Sequence, residues 1–325
     1  FLLTGKAISD PWSTKGICNV KSRSAINELI KYCGWDPKVM PEIRDGFQSR
    51  GRITREGSEL TGLAEGLEVS TGWSDAMCGM LALGVFSKPT SFVITGTSAI
   101  VGTSSIKAPN DAGALYVIPD SCAPLSVTYG PTQMSGGSIA WASKLVGISE
   151  EEFVTLGDNN QSESVPIYLP YIAGERAPLW RNDIRGSFSE LSIHDDRSAL
   201  ARATMEGVAF AERQVLEMSQ KISGSVPDEI TLGGHAGNDP KWIKTRKRTM
   251  GRKLLRISDA DITCRGSAIL AHTIISKSLD ESTRALAPKS EVHDLAQTEI
   301  EYGILNFERF LSEQSALLKK TKGAR

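Results

Sequence analysis

Glu229-Ile230-Thr231-Leu232-Gly233-Gly234-His235-Ala236-Gly237-Asn238, read on to residue 276, decides the fold class. Glu229 to Leu232 reads as a strand, and the glycines behind it as a turn. Pro240 to Met250 then reads as a helix, Lys253 to Ile257 as a strand, and Arg265 to Ser276 as a helix. Strands alternating with helices predict an α/β layered domain.

Upstream, Ser198 to Ile222 is the longest helical segment, with Leu200, Ala203, Met205, Val208, Ala209, Val215 and Met218 on an apolar face, which predicts a core helix. Pro166 to Ala173 is an apolar extended run. Gly136-Gly137 opens a short helix over Ser138 to Val146, and Ala114 to Pro119 is a strand candidate. Ser91 to Thr95 is β-branched and runs through Gly96-Thr97-Ser98 into Ala99-Ile100-Val101, which predicts a hairpin with glycine at its tip. Before it, Gly72 to Asp75 reads as a turn, and Ala76 to Gly84 as a helix of small residues able to pack very closely on a neighbour. Ser24 to Leu67 mixes helix and loop.

The bulk composition excludes several classes. The 325 residues, 40% of them apolar, can build a substantial core. With 37 basic and 38 acidic residues the net charge is -1, so nothing global draws the chain to nucleic acid or an anionic membrane. No run reaches the roughly 18 to 20 apolar residues that span a bilayer, and the N-terminus lacks a basic-then-apolar signal. Cys18, Cys33, Cys78, Cys122 and Cys264 are odd in number and scattered, which fits reduced thiols in a cytoplasmic protein.

Three places could carry chemistry. Gly233-Gly234 sits where a strand hands over to a helix, so a flat base or ribose could approach the backbone there; a plain tight turn would look the same, with His235 as a turn residue. Gly96-Thr97 can offer an N–H and a hydroxyl to a phosphate oxygen, or be an ordinary hairpin of small residues. Asp75, at the mouth of the small-residue helix, can take a proton from an attacking hydroxyl, cap the helix, or do both. Glu175-Arg176 reads as an ion pair holding a loop. The basic run Lys241, Lys244, Arg246, Lys247, Arg248, Arg252, Lys253 reads as a solvated helix face, since only Trp242 interleaves it. Lys319 to Lys322 reads as a frayed end.

Tyr171-Ile172-Ala173-Gly174-Glu175-Arg176-Ala177-Pro178, then Arg185-Gly186-Ser187-Phe188 and Ala199 to Gly207 ending in Met205-Glu206-Gly207, resemble the C-terminal half of the FGGY carbohydrate kinases, xylulokinase-like members above all. The resemblance runs from about Leu3 to residue 311. It implies a ribonuclease H-like/actin-like fold in two domains, here 1–87 as the remainder of the sugar-binding domain and 88–325 as the nucleotide-binding domain. It also implies transfer of a phosphoryl group from ATP with Mg2+ to a sugar or polyol, with a pentulose such as xylulose as the expected substrate. Asp75 aligns with the catalytic base, Gly96 and Thr97 with the transferred-phosphate turn, Gly136 with a nucleotide contact, and Gly233, Gly234 and Asn238 with the adenosine turn. The resemblance implies no metal ligand within the chain. Nucleic-acid and membrane partners are not expected, and a homodimer is left open.

Some positions depart from the family pattern. Glu190 stands in a usual glycine place and Ala199 in a usual acidic or amide place; Lys244-Thr245-Arg246-Lys247-Arg248 replaces a Gln followed by Ala-Asp. The family's first phosphate loop would lie before Phe1. The alternative expectation is therefore a truncated, non-catalytic nucleotide-binding or interaction module.

Overall fold

The computed structural model describes residues 1–234, 239–259 and 261–322. Seven strands form one mixed sheet: β1 (Ser91–Thr95), β2 (Ala99–Ser105), β3 (Tyr116–Ile118), β4 (Ser126–Pro131), β5 (Glu229–Gly234), β6 (Lys253–Ile257) and β7 (Ser290–His293). Their spatial order is β7-β6-β5-β1-β2-β4-β3. β5 runs parallel to both β1 and β6, and every other neighbouring pair is antiparallel.

Both faces of the sheet are covered, which is why its central strands are buried along nearly their whole length rather than at alternate residues. Helices α1 (Asp75–Ala82) and α6 (Ile262–Ser276) cover one face, where Met77, Met80, Leu81, Ile262 and Ile269 pack with Phe92 and Val127. On the other, α4 (Arg197–Ser223) and α5 (Pro240–Met250) bring Val215, Leu216, Ile243 and Met250 onto Val93, Val101, Ile230 and Leu232. The result is the α/β layering read from the alternation of elements. Helices α2 (Gly136–Val146) and α3 (Glu150–Asn159) pack with α4 beyond the sheet. Residues 1–74 contribute short two-stranded pairs and two short helices, Asn27–Tyr32 and Arg55–Thr61, with Trp12 and Trp73 joining the first core.

Most expected elements are present with shifted ends. β2 continues to Ser105, because Val101, Gly102 and Thr103 pair with both β1 and β4, and Ser104 and Ser105 pair on with β4. α2 begins at Gly136, so the glycine pair lies inside its first turn rather than ahead of it. Lys319 to Lys322 is not a frayed end: α7 (Gln297–Lys322) continues through it. Leu317 and Leu318 pack onto the cluster of Tyr171, Phe210, Phe307 and Phe310, and Thr321 accepts a hydrogen bond from Arg181 at 3.2 Å.

The small-residue helix α1 does approach a neighbour closely. A Cβ on Gly266 of α6 would lie 1.9 Å from the carbonyl oxygen of Cys78, so only glycine lets these backbones meet. That contact fixes α1, and with it Asp75, against α6.

Candidate active site

The carboxyl ends of three parallel strands converge on one cleft. β1 ends at Thr95, β5 ends at Gly234, which pairs with Thr95, and β6 leads to Asp261 at the start of α6. Asp75, Ala76, Gly79, Ile94, Thr95, Ile100, Gly234, Asp261, Ile262 and Thr263 line a cavity of about 280 Å³ there. In layered α/β sheets, ligands bind outside the carboxyl ends of the strands, where the chain leaves the sheet in different directions.

Asp75 is exposed and is the first residue of α1, with Ser74 in the cap position, so the carboxylate does not cap the helix. Its Oδ1 accepts the Ala76 N–H at 2.7 Å. Oδ2 has no partner among the described residues and is available for a proton. Asp261 lines the same cavity; it caps α6, and the donated Cys264 N–H holds its carboxyl below the ordinary value.

Gly234 lies at φ +92°, and a Cβ there would fall 2.3 Å from the Thr95 carbonyl oxygen. Bare backbone is therefore required at this edge of the cleft. Thr95 Oγ1 donates to the Gly233 carbonyl at 3.3 Å, tying β1 to β5 at the same level. Asn238 and His235 lie outside the described residues.

Thr95 leads directly into the Gly96-Thr97 turn, whose tip is closed by Gly96 N–H donating to Ser98 at 2.8 Å. The start of α2 docks on this turn. The Ser135 and Gly137 amides both donate to the Thr97 carbonyl, at 2.8 and 3.0 Å, and the Gly136 amide donates to the Gly96 carbonyl at 3.0 Å. The exposed Thr97 keeps its hydroxyl without a partner among the described residues. Asp75, Thr95-Gly96-Thr97, Gly136 and Gly233-Gly234, distant in sequence, thus form one connected surface.

Glu175 and Arg176 make no salt bridge with each other among the described residues. Instead both grip the link between β4 and α2: Glu175 Oε1 accepts the Gln133 and Arg176 amides at 2.5 and 2.8 Å, and Arg176 Nη2 donates to the Thr132 carbonyl at 2.5 Å. Burial pushes the Glu175 carboxyl up to about 7 against the lowering pull of those amides and of the Arg176 charge.

The basic run is not a solvated face. Arg246 is fully buried and pairs with Glu212 through two contacts of 2.9 Å, and Arg248 pairs with the buried Glu206 at 2.8 Å. Lys244 pairs with Asp158 and Lys247 with Glu299. The helical spacing of 242, 246 and 249 puts these positions on the inner face of α5, and the acidic partners of the run come from α4, α3 and α7, which sequence spacing could not connect to it. Asp261 also escaped the reading; an Asp after a strand and before a helix is the signal that could have found it.

A cleft with a bare glycine edge, apolar Ile94, Ile100 and Ile262, a hydroxyl-bearing turn against a helix N-terminus and two carboxylates suits a flat group carrying phosphate. Among the described residues no three His, Cys, Asp or Glu side chains gather to hold a metal, and no helix is long and apolar enough to cross a membrane.

Comparison with known proteins places this architecture. The chain is 25% identical over 279 residues to the xylulose kinase of Staphylococcus xylosus, covering 83% of this chain and 57% of that protein. It is 26% identical over 277 residues to glycerol kinase 1 of Streptomyces avermitilis, covering 82% and 54%. The crystal structure of a xyloylose kinase from Brucella ovis superposes with a TM-score of 0.87 at 24% identity, over 98% of this chain and 66% of the other; that likeness gives the fold, the ribonuclease H-like/actin-like fold of sugar kinases. The chain spans little more than half the length of these curated relatives. Residues 92–274 match the C-terminal domain of the FGGY family of carbohydrate kinases, a stretch that holds β2 to β6, α2 to α5 and nearly all of β1 and α6, and the chain belongs to that family.

Proposed function

We propose that this chain belongs to an ATP-dependent kinase of a sugar or polyol, with a pentulose such as xylulose as the acceptor. Residues 1–87 would serve the acceptor side and 88–325 the nucleotide side. The observation that carries the reading is the shared cleft: Asp75 and Gly234 line one cavity, and the Gly96-Thr97 turn continues from its Thr95 wall.

In this reading the Oδ2 of Asp75 takes the proton of the acceptor hydroxyl as its oxygen attacks, while Oδ1 stays anchored on the Ala76 amide. The Gly96-Thr97 turn, stiffened by the three amides of α2, orients the phosphate to be transferred through the Thr97 hydroxyl. Gly234, with Gly136 and Asn238, receives the nucleoside end, and Ile94, Ile100 and Ile262 keep water from the transferred group. Magnesium-bound ATP would supply the phosphoryl group and the neutralisation of its charge, and Asp261, a carboxylate on the same cleft, would be the side chain that faces the ion.

The test is ADP release from MgATP across ketopentoses, aldoses, glycerol and other polyols, with Asp75→Asn alongside. Release that depends on one acceptor and falls about 10²- to 10⁴-fold in Asp75→Asn, with MgADP affinity retained, is the expected result. Full turnover in Asp75→Asn would overturn the base assignment. Saturable MgADP binding with no turnover on any acceptor would instead assign this chain to nucleotide binding alone, the non-catalytic module.

A further inference from the structure

Beneath the start of α2 lies a fully buried ion pair that the proposed chemistry leaves unused. Glu212 of α4 and Arg246 of α5 are both closed to solvent. Arg246 Nε donates to Glu212 Oε2 and Nη2 to Oε1, each at 2.9 Å, and the guanidinium lies over the Trp242 ring, 4.4 Å from its centroid. Glu212 Oε1 also accepts the hydroxyl of Ser135 at 2.8 Å. Ser135 is the residue before α2, yet its hydroxyl makes no cap to that helix. Its amide donates to the Thr97 carbonyl, in the same turn that receives the Gly136 and Gly137 amides.

A buried ion pair is a poor source of net stability, because desolvating two charges offsets most of their attraction, and apolar residues of like volume usually serve as well. Its advantage is directional. A carboxylate held by a two-point fork cannot rotate, and the acceptor it presents to Ser135 is fixed in space. The path from Arg246 through Glu212 and Ser135 to Thr97 consists of consecutive hydrogen bonds, none longer than 2.9 Å.

We infer that Glu212 and Arg246 are positioning residues for the phosphate turn: through Ser135 they hold Gly96-Thr97 and the first turn of α2 in the geometry that receives a nucleotide phosphate. This rests on the nucleotide reading above. Glu175 grips the same link from another side, through Gln133, so the segment between β4 and α2 is held by two buried carboxylates.

The decisive variant is the apolar replacement Glu212→Leu/Arg246→Met, compared with Ser135→Ala and with the triple variant. Two quantities are read: MgADP affinity by calorimetry, and hydrogen exchange of the Gly136 and Gly137 amides, which needs no ligand. The apolar pair variant is expected to unfold within a few degrees of wild type, to bind MgADP about five- to tenfold more weakly, and to lose about tenfold protection at Gly136 and Gly137 while β1 and β5 keep theirs. Ser135→Ala should match these losses, and the triple variant should add nothing, since all three changes break one path. Arg246→Lys, which keeps the charge but not the fork, should fall between wild type and the apolar variant in both readouts.

Wild-type affinity together with wild-type protection in a folded apolar variant would overturn the inference, as would additive losses in the triple variant. If the apolar variant does not fold, Ser135→Ala alone decides, because it removes only a hydroxyl. A wild-type chain that binds no MgADP would count against the nucleotide reading, and the exchange measurement would still show whether the pair holds the turn.

Discussion

Glu175 shows how far a single residue can depart from its sequence reading. Glu175-Arg176 suggests an ion pair, but the two side chains grip the backbone of residues 132 and 133 instead. Burial pushes the Glu175 carboxyl up to about 7 from an ordinary 4.5, so around neutral pH the folded protein keeps a proton that the unfolded chain releases. A raised carboxyl pKa gives stability that is full below about pH 4.5 and is lost as pH rises through 7. At 1.36 kcal/mol for each pKa unit, the decline attributable to Glu175 is on the order of 3 kcal/mol. In urea melts between pH 4.5 and 8, Glu175→Gln should flatten the fall in stability; an unchanged slope would remove Glu175 as its source. Glu190 carries a different burden. It occupies a place where the family pattern has glycine, and its backbone lies at φ +59°, the left-handed region that costs a side-chain-bearing residue about 1–2 kcal/mol. Its ion pair with Arg309 is partly exposed and returns about 0–1 kcal/mol. Glu190→Gly is therefore expected to stabilise the chain by up to about 1 kcal/mol, read as a rise in thermal midpoint, and a fall would show that the ion pair dominates.

Elements were legible where local chemistry settles them. α5 over Pro240–Met250 and β6 over Lys253–Ile257 have the ends the sequence predicts, because Pro240 starts the helix and Gly251 in the left-handed region ends it. β4, α3 and α7 were not read as elements. β4 is buried with a glycine and a proline at its end, and it is a strand because β2 and β3 pair with it on both sides. The tight seat of α1 on α6 is an element-scale property with a sharp test. Gly266→Ala would force a methyl to within 1.9 Å of the Cys78 carbonyl, so the helices must separate. A loss of about 3 kcal/mol is expected in urea unfolding, at the upper end of overpacking costs. Because α1 begins at Asp75, turnover should fall further than stability alone explains; equal turnover at a temperature where the variant is fully folded would separate the helix seat from the site.

At the scale of the whole molecule, α7 packs on α4 and α5, elements far ahead of it in the chain. Phe307 and Phe310 pack tilted against Phe210 of α4, and Gln314 donates to the Tyr171 hydroxyl at 2.5 Å, so α7 covers the very stretch that carries the family resemblance. Phe310→Ala should cost about 3–5 kcal/mol, measured as a lowered urea midpoint, whereas a surface helix would lose almost nothing. The buried network of Arg202, Glu206, Arg248 and Tyr302 joins α4, α5 and α7 in the same region, with Tyr302 donating to Glu206 at 2.7 Å and accepting from Arg202 at 2.8 Å. The layered α/β class, the glycine turns, Asp75 at a helix mouth and the family are all legible along the chain, because each depends on residue type and short-range order. Long-range packing is what brings Asp75, Thr95 to Thr97, Gly136 and Gly234 onto one surface, turns the basic run inward to Glu206 and Glu212, and sets Glu175 on backbone. Those outcomes depend on which strand lies beside which, and the pairing of β1 with β5 across more than a hundred intervening residues leaves no trace in local spacing.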